Sequence, residues 1–382
     1  MPATYAGYSA VMCNEAPNIA QVTVTAKYVK IKEMYTREIL PPIASPVKDG
    51  NPVIGTWNRA FENVDLLEIK KPYKYPIPGW VRNNRIKEWQ SFSALNEHFS
   101  LEALFCNIKL YRMAQVLLYD RKNEKKFIFR TIKPGTGWKL PNSLANASVD
   151  SHSASFFFRI HSWLDADTVN LDINIEASRR NPELTVHLAY NMRGQDVTPM
   201  AVSLGFTERR IMYAFKALAP VRGDMVFDGK HINMKQDTCS GIFCDYKGFF
   251  PYRMNTTICT AAGFDEEKRR FGFHIAENQT REKNKNNENA LWQNGKLTPL
   301  PPVLITMPNG SDASWVIQDV EGMVDLTFTI KEQSKSSKNI LITRADFNIA
   351  LGYYNGMLVN SDGEQIQIKN LPGMGEKLYL RV

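Results

Sequence analysis

The chain has 382 residues, 43% hydrophobic and 11% aromatic, so it carries enough apolar material for a dry interior and is not a disordered polymer. Its formal net charge of +8 comes from 47 Lys+Arg against 39 Asp+Glu, but the basic residues are scattered. No zinc-finger spacing, aromatic-glycine RNA signature or basic helix accompanies them, so a nucleic-acid partner is not expected.

The length suits two similar units behind an N-terminal arm: an arm over residues 1–49, a first β domain over 50–235 and a second over 236–382. The arm opens with MPATYAGYSAVMCNEAPNIAQ, which has no basic region followed by an apolar run, and ends in the proline-rich EILPPIASPVKDGNP. No later stretch is long and apolar enough for a membrane span, so a cytoplasmic protein is expected.

Within the first domain, Lys122, Lys125 and Lys126 mark a hairpin tip, and PGTG at 134–137 marks another turn. SFFFRIHSW places Phe156, Phe158 and Ile160 on one face and Phe157, Arg159, His161 and Trp163 on the other. Two rings beside two ionisable groups make Arg159 and His161 candidates for a cavity wall, against the plainer reading of charged tips in water. TVNLDINIEA alternates strictly, with Val169, Leu171, Ile173 and Ile175 on one side, and ELTVHLAYN does the same through Leu184, Val186, Leu188 and Tyr190. Both are half-buried strands. Helical periodicity is weak throughout, and residues 207–219 and 343–350 are its best short candidates.

The second domain follows a composition shift at DGKHINMKQDTCSG. CDYKGFFPYRMN then sets Asp245, Lys247 and Arg253 among Phe249, Phe250 and Tyr252, with Gly248 and Pro251 interrupting the pattern. A strand there aims Asp245 and Lys247 at one face, either as an anchor at the rim of an apolar pocket or as an exposed ion pair. RFGFHIAEN leaves His274 as the large side chain on a face shared with Gly272 and Ala276, which gives room for a ligand beside the imidazole. Glu288 lies between the polar TREKNKNN and ALW, where it can dip into a barrel mouth beside Trp292 or close a turn. In MVDLTFTI, Asp325 shares the polar face with Met323, Thr327 and Thr329; it is a solvated acid or, inside a barrel mouth, a desolvated proton donor. DEEKRR, QNGK, PNGSD and SDGE supply turns, and Lys331, Lys335 and Lys338 suggest one more. The whole reads as an all-β protein of two lipocalin-like or sandwich units with few short helices.

Cysteines at 13, 106, 239, 244 and 259 are odd in number and sparse, which favours a reducing compartment over a disulfide scaffold. No cysteine or histidine spacing suits a metal, and no GxSxG, GxxxxGK, GxGxxG or HExxH occurs, so neither a metal nor a cofactor is expected.

The ordered blocks CDYKGFFPY, GFHIAEN, NNENALWQNGK, SWVIQDVEGMVDLTFTI, NIALGYYNGMLVNSDGEQIQI and GMGEKLYLR resemble the bacterial domain-of-unknown-function family numbered 2804. NNRIKEWQSFSALNEHFSLEALF is similar to that family's upstream block, so the resemblance runs from about residue 45 to the C-terminus. It implies tandem lipocalin-type β structures akin to carotenoid hydratases and cofactor-free cyclases. It also carries an acid-x-lysine-glycine block onto Asp245, Lys247 and Gly248, an aromatic-proline step onto Phe250 and Pro251, and an Asn-Glu-Asn block onto Asn287, Glu288 and Asn289 before Trp292. Where a second aromatic would follow the proline block, this chain has RMNTTICTAAG.

The expected function is capture of a hydrophobic small molecule, with cofactor-independent isomerisation, hydration or cyclisation. Asp245 or Glu288 would be the raised-pKa acid, His274 the base, and Lys247, Phe250, Tyr252, Arg253, Trp292, Asp325, Arg159 and His161 the ligand contacts. A non-enzymatic carrier and a carbohydrate-binding or carbohydrate-active β protein are the alternatives.

Overall fold

The computed structural model describes residues 6–7, 27–28, 34–135, 139–194, 196–340 and 343–381. Two short strands, β1 (Ala6–Gly7) and β2 (Lys27–Tyr28), pair antiparallel within a unit that ends at Tyr35. Cys13 and most of the expected arm lie outside the described residues.

The unit from Thr36 onward is built almost entirely of antiparallel strands. It begins with the small hairpin of β3 (Val47–Lys48) and β4 (Asn51–Pro52), then β5 (Gly55–Trp57) and the α-helix α1 (Gly79–Arg85). A meander follows in β6 (Lys87–Leu95), β7 (Phe99–Asn107), β8 (Tyr111–Asp120) and β9 (Lys125–Pro134). A second runs through β10 (Ala147–Ser153), β11 (Phe156–Trp163), β12 (Thr168–Ile175) and β13 (Leu184–Asn191). β14 (Met200–Gly205), the long β15 (Ile211–Phe227), β16 (Lys230–Met234) and β17 (Ser240–Gly248) join the two into one sheet, ordered β10-β11-β12-β13-β15-β17-β6-β7-β8-β9.

This sheet curls on itself. Lys133 on edge strand β9 donates from Nζ to the His152 carbonyl on edge strand β10 at 3.0 Å. β15 makes the curl possible by serving two sets of partners: its first part pairs with β14 and β17, its last with β13 and β16. Gly223 sits near the changeover at φ +134, and a Cβ there would lie 2.0 Å from the His187 carbonyl oxygen. Only glycine fits that approach. The lumen is filled by aromatic rings: Phe92 stacks on Tyr190 at 3.9 Å, and Phe105 on Phe158 at 4.1 Å.

The second curled sheet contains β18 (Arg253–Phe264), β19 (Arg270–Glu277), β20 (Ala290–Gln293), β21 (Lys296–Pro299), β22 (Leu304–Thr306), β23 (Ser314–Gln318), β24 (Val324–Ile340), β25 (Thr343–Val359) and β26 (Gln365–Arg381). Its order is β21-β20-β19-β18-β26-β25-β24-β23-β22. Phe273, Phe328, Tyr354 and Trp315 pack against one another on its inner face. The outer faces of the two sheets meet through a further apolar cluster that includes Leu104, Met212, Leu218, Tyr246, Trp292 and Leu378. Among the described residues no helix is long and apolar enough to cross a membrane.

The alternating strands are where the sequence places them. Val169, Leu171 and Ile173 are buried while their neighbours reach the surface. Two expectations fail. Residues 207–219 and 343–350 are not helical; they fall largely in β15 and β25. β15 is buried on both faces over Ile211–Val221, so it lacks the alternation that announces a strand and reads as a helix-like apolar run. Lys331, Lys335 and Lys338 do not mark a turn either, because they are exposed positions along β24. The change from first to second sheet falls between Gly248 and Arg253, so β17, which follows the composition shift near 235, hydrogen-bonds within the first sheet.

Candidate active site between the two sheets

β17 is buried along its whole length and sends alternate side chains to two different places. Phe243, Asp245 and Lys247 point into the lumen of the first sheet; Ile242, Cys244 and Tyr246 point toward the second. The same rule sends Lys216 on β15 and Glu102 on β7 to the inter-sheet side, because they alternate with lumen residues such as Phe215 and Phe105.

Tyr246 meets three ionisable groups there. Its hydroxyl donates to Glu288 Oε2 at 2.7 Å and lies 3.1 Å from His274 Nε2. Lys216 Nζ donates to the same Glu288 oxygen at 2.5 Å, and Asn278 Nδ2 holds Oε1 at 2.5 Å. His274 Nδ1 is 3.3 Å from the Thr260 hydroxyl, its β18 partner across the ladder. Because the tyrosine proton goes to Glu288, its oxygen is free to accept from Nε2–H, and Nδ1 then accepts from Thr260. One orientation of protons thus satisfies the chain Thr260–His274–Tyr246–Glu288.

Electrostatics agree with that ordering. Burial raises the Glu288 carboxyl, but the Lys216 ammonium and the bonds with its neighbours override it and hold the group below the usual carboxylate range. Burial and the Lys216 charge press His274 down to about 4, so the imidazole is neutral at pH 7 and Lys216 is the cation that balances Glu288. Burial, then the Glu288 charge, keeps Tyr246 well above the ordinary phenol value.

A cavity borders this network. Trp89, Ser91, Glu102, Cys244, Tyr246, Thr260, His274 and Glu376 form its polar part. Trp89, Leu104, Ile258 and Glu376 are shared with an adjoining apolar cavity completed by Phe347, Leu378 and Leu380. Each holds about 30 Å³ of free space, below the volume of an ordinary ligand pocket, so a sizeable ligand requires the shared walls to part. Trp89 stacks on both Tyr246, at 4.8 Å, and Phe250, at 5.1 Å. Two carboxyls face the same space from opposite sheets. Burial, then the charge of Glu376, pushes Glu102 well above the usual range, and its Oε2 has no hydrogen-bond partner. Burial raises Glu376 to about 7.

The expected site residues therefore divide. Glu288 and His274 stand together, and Phe250 supports Trp89 from behind. Glu288, however, is held ionised by Lys216 and does not have the raised pKa of a proton donor. Asp245 has such a value, raised to about 6 by burial, but its carboxyl lies in the first lumen near Lys247, Gln90 and Tyr213. Lys247 binds Asn142 Oδ1 at 2.6 Å and the Pro141 carbonyl at 3.2 Å, close to Glu88. Trp292 is buried and donates from Nε1 to the Thr198 carbonyl at 2.8 Å. Tyr252, Arg253 and Asp325 are exposed, the last accepting from Gln318. Arg159 pairs with Asp172 on the outer surface, where both it and His161 line an open groove.

Sequence reasoning passed over Lys216, Tyr246, Glu102, Glu376 and Trp89. A signal existed for three of them. Lys216 in IMYAFKALAP and Glu102 in SLEALFC are lone charges inside otherwise apolar or small-residue runs, and Glu376 in GMGEKLYL breaks such a run together with Lys377; a charge so placed is buried or lies beside a cavity.

The family described as Domain of unknown function (DUF2804) matches residues 38–381. No curated protein matches the chain. Among solved structures, the crystal structure of CghA is 12% identical, with 78% of this chain and 88% of that chain covered at a TM-score of 0.46. The crystal structure of kievitone hydratase from Nectria haematococca is also 12% identical, covering 77% of this chain and 87% of that one at a TM-score of 0.45.

Proposed function

Since the chain belongs to the family described as Domain of unknown function (DUF2804), a description that assigns no activity, we propose its function from the site itself: acid–base catalysis on a small, largely apolar molecule held between the two sheets. The observation that supports this is the meeting, at a cavity that adjoins an apolar one, of a neutral imidazole and two carboxyls whose pKa burial raises. Glu376 is the proton donor to an alkene or carbonyl, and Glu102 holds the proton that the pair cannot both release. His274 is the base. Lys216 and Glu288 act through Tyr246 as positioning residues, fixing the imidazole tautomer. Trp89 and Tyr246 supply the aromatic wall of the cavity. Isomerisation, hydration and cyclisation all need this combination of acid, base and aromatic wall.

Asp245 and Lys247 close the first lumen in this reading. A sugar-binding surface would need solvent-facing aromatic platforms. Of the described tryptophans, Trp57, Trp292 and Trp315 are buried, and Trp80 and Trp163 are exposed. Cys106, Cys239, Cys244 and Cys259 are free and buried, as suits a protein of the reducing cytoplasm.

The test is native mass spectrometry of the freshly purified chain, followed by incubation of any extracted apolar ligand with protein in D₂O. Deuterium entering a carbon of the ligand, lost in Glu376→Gln and retained in Asp245→Asn, is the expected result. A bound ligand that takes up no deuterium would make the protein a carrier and end the catalytic reading.

A further inference from the structure

The two small cavities do not stand alone. Along β6 the lining runs from Trp89 through Ser91 and Ser93 to Leu95; along β18 it runs from Ile258 through Thr260 to Ala262; along β26 it runs from Leu378 through Glu376 and Met374 to Pro372. Leu95, Ala262 and Pro372 belong to an open cleft of about 890 Å³, so three spaces follow one seam between the sheets. From Pro372 to Glu376 the strand advances about 13 Å.

The cleft is unlike the interior it leads to. Arg121 and Arg270 both line it. Neither forms an ion pair among the described residues, although both are substantially withdrawn from water. Arg121 donates from Nη2 to the Ser100 hydroxyl at 2.5 Å, and its buried Nη1 has no partner. Arg270 donates to the Ser240 hydroxyl at 3.0 Å and to the Gln236 carbonyl, and its guanidinium lies 5.3 Å from the Phe264 ring centre. Both guanidiniums lie near enough to the same buried thiol, Cys239, to act on it. Burial lowers both, Arg121 to about 10. Of the other cations there, Arg269 pairs with Asp265, Glu267 and Glu364 and Lys369 with Glu266, while Lys268 is an exposed side chain at the rim, open to water rather than desolvated. Glu97 and Asp237 also line the cleft without pairing with either arginine.

Two desolvated guanidiniums with no carboxylate in contact, Arg270 having only the Asp196 charge at longer range to offset its burial, are costly unless an anion completes them, and their forked donors match an oxyanion. We infer that this cleft is the mouth of the inter-sheet cavity and that Arg121 and Arg270 bind the oxyanion head, a carboxylate or a phosphate, of an otherwise apolar ligand. The body of the ligand then reaches toward Glu376 and His274. This inference rests on the reading of that cavity as the ligand site, and it adds a substrate class: an amphiphile with an anionic end.

The experiment uses the full chain and two fluorescent probes, 11-(dansylamino)undecanoic acid and its methyl ester. The acid is expected to bind at least about tenfold more tightly than the ester, the worth of one charge-assisted pair. In Arg121→Gln, and separately in the less buried Arg270→Gln, that preference should fall to within about threefold while ester affinity is kept. Dodecanoate and dodecyl phosphate as competitors then show which head is preferred, and either order supports an oxyanion site. Equal binding of acid and ester by the unmodified protein overturns the oxyanion site while leaving the apolar cavity intact. So does a preference that survives both substitutions. Failure of both probes to bind would remove the cavity reading and this inference with it.

Discussion

Asp245 and Tyr246 are neighbours on one strand, yet they belong to two different kinds of buried polar cluster. On the lumen side, Glu88 accepts from Lys109 at 2.8 Å, Asn107 at 3.1 Å and the Leu140 backbone at 3.3 Å, while Lys247 is bound by oxygens of residues 140–142. That cluster shares its charges among many partners and ties a loop to the end of a filled barrel. On the inter-sheet side, Glu288 depends on Lys216 as its one close cation among the described residues, and the imidazole and carboxyls around it border free space. Burial alone does not mark a site. What separates the two clusters is that one is filled by its own protein and the other faces room for something else.

Several experiments can break or sharpen that contrast, beginning with the largest effect. Lys216→Met leaves Glu288 charged and unpaired, and should cost about 3–5 kcal/mol in urea unfolding, most of it restored when Glu288→Leu is added. Lys247→Met should cost less, roughly 1–3 kcal/mol, because Glu88 keeps Lys109. Equal losses at the two lysines would erase the distinction between the clusters.

Glu376 offers a test with the opposite sign. Its folded pKa is raised from 4.5 to about 7, so the folded protein keeps a proton that the unfolded chain releases. Stability is therefore full below about pH 4.5 and is lost as the pH rises through 7. Glu376→Gln should stabilise the fold at pH 8 by about 3 kcal/mol, with a higher melting temperature, and leave stability nearly unchanged at pH 4. A variant equally destabilised at both values would show that the carboxyl is not desolvated.

Tyr246→Phe removes one buried donor to Glu288 and should cost about 1–2 kcal/mol. The smallest signal is the titration of His274 itself. Its imidazole NMR resonance should stay flat from pH 8 down to about 5 and move only near 4. A midpoint near neutrality would show that burial and the Lys216 charge do not hold the ring neutral.

Much of the fold was legible because period-two alternation survives wherever one face meets solvent, as in β12 and β13. The reading failed in β15, where both faces are buried, and the same failure hid Lys216. Glu288 and His274 could be picked out individually, since each breaks its local pattern, but nothing in their spacing says that they meet. Arg159, His161 and Phe157 form a mixed face that looks like a wall in sequence and is an outer surface in the structure, with Arg159 and His161 lining an open groove.

By itself, then, the sequence determined an all-β chain with a lumen-facing set of apolar residues, because side-chain alternation is a local consequence of the pleat. Which side of a doubly buried strand faces the other sheet is not local. Tertiary packing alone brought Glu102 and Glu376, far apart in the chain, to one cavity, and turned Asp245 away from Tyr246, His274 and Glu288. A strand carries no mark of what will cover each of its faces; that is decided only when the second sheet docks and withdraws water from one of them.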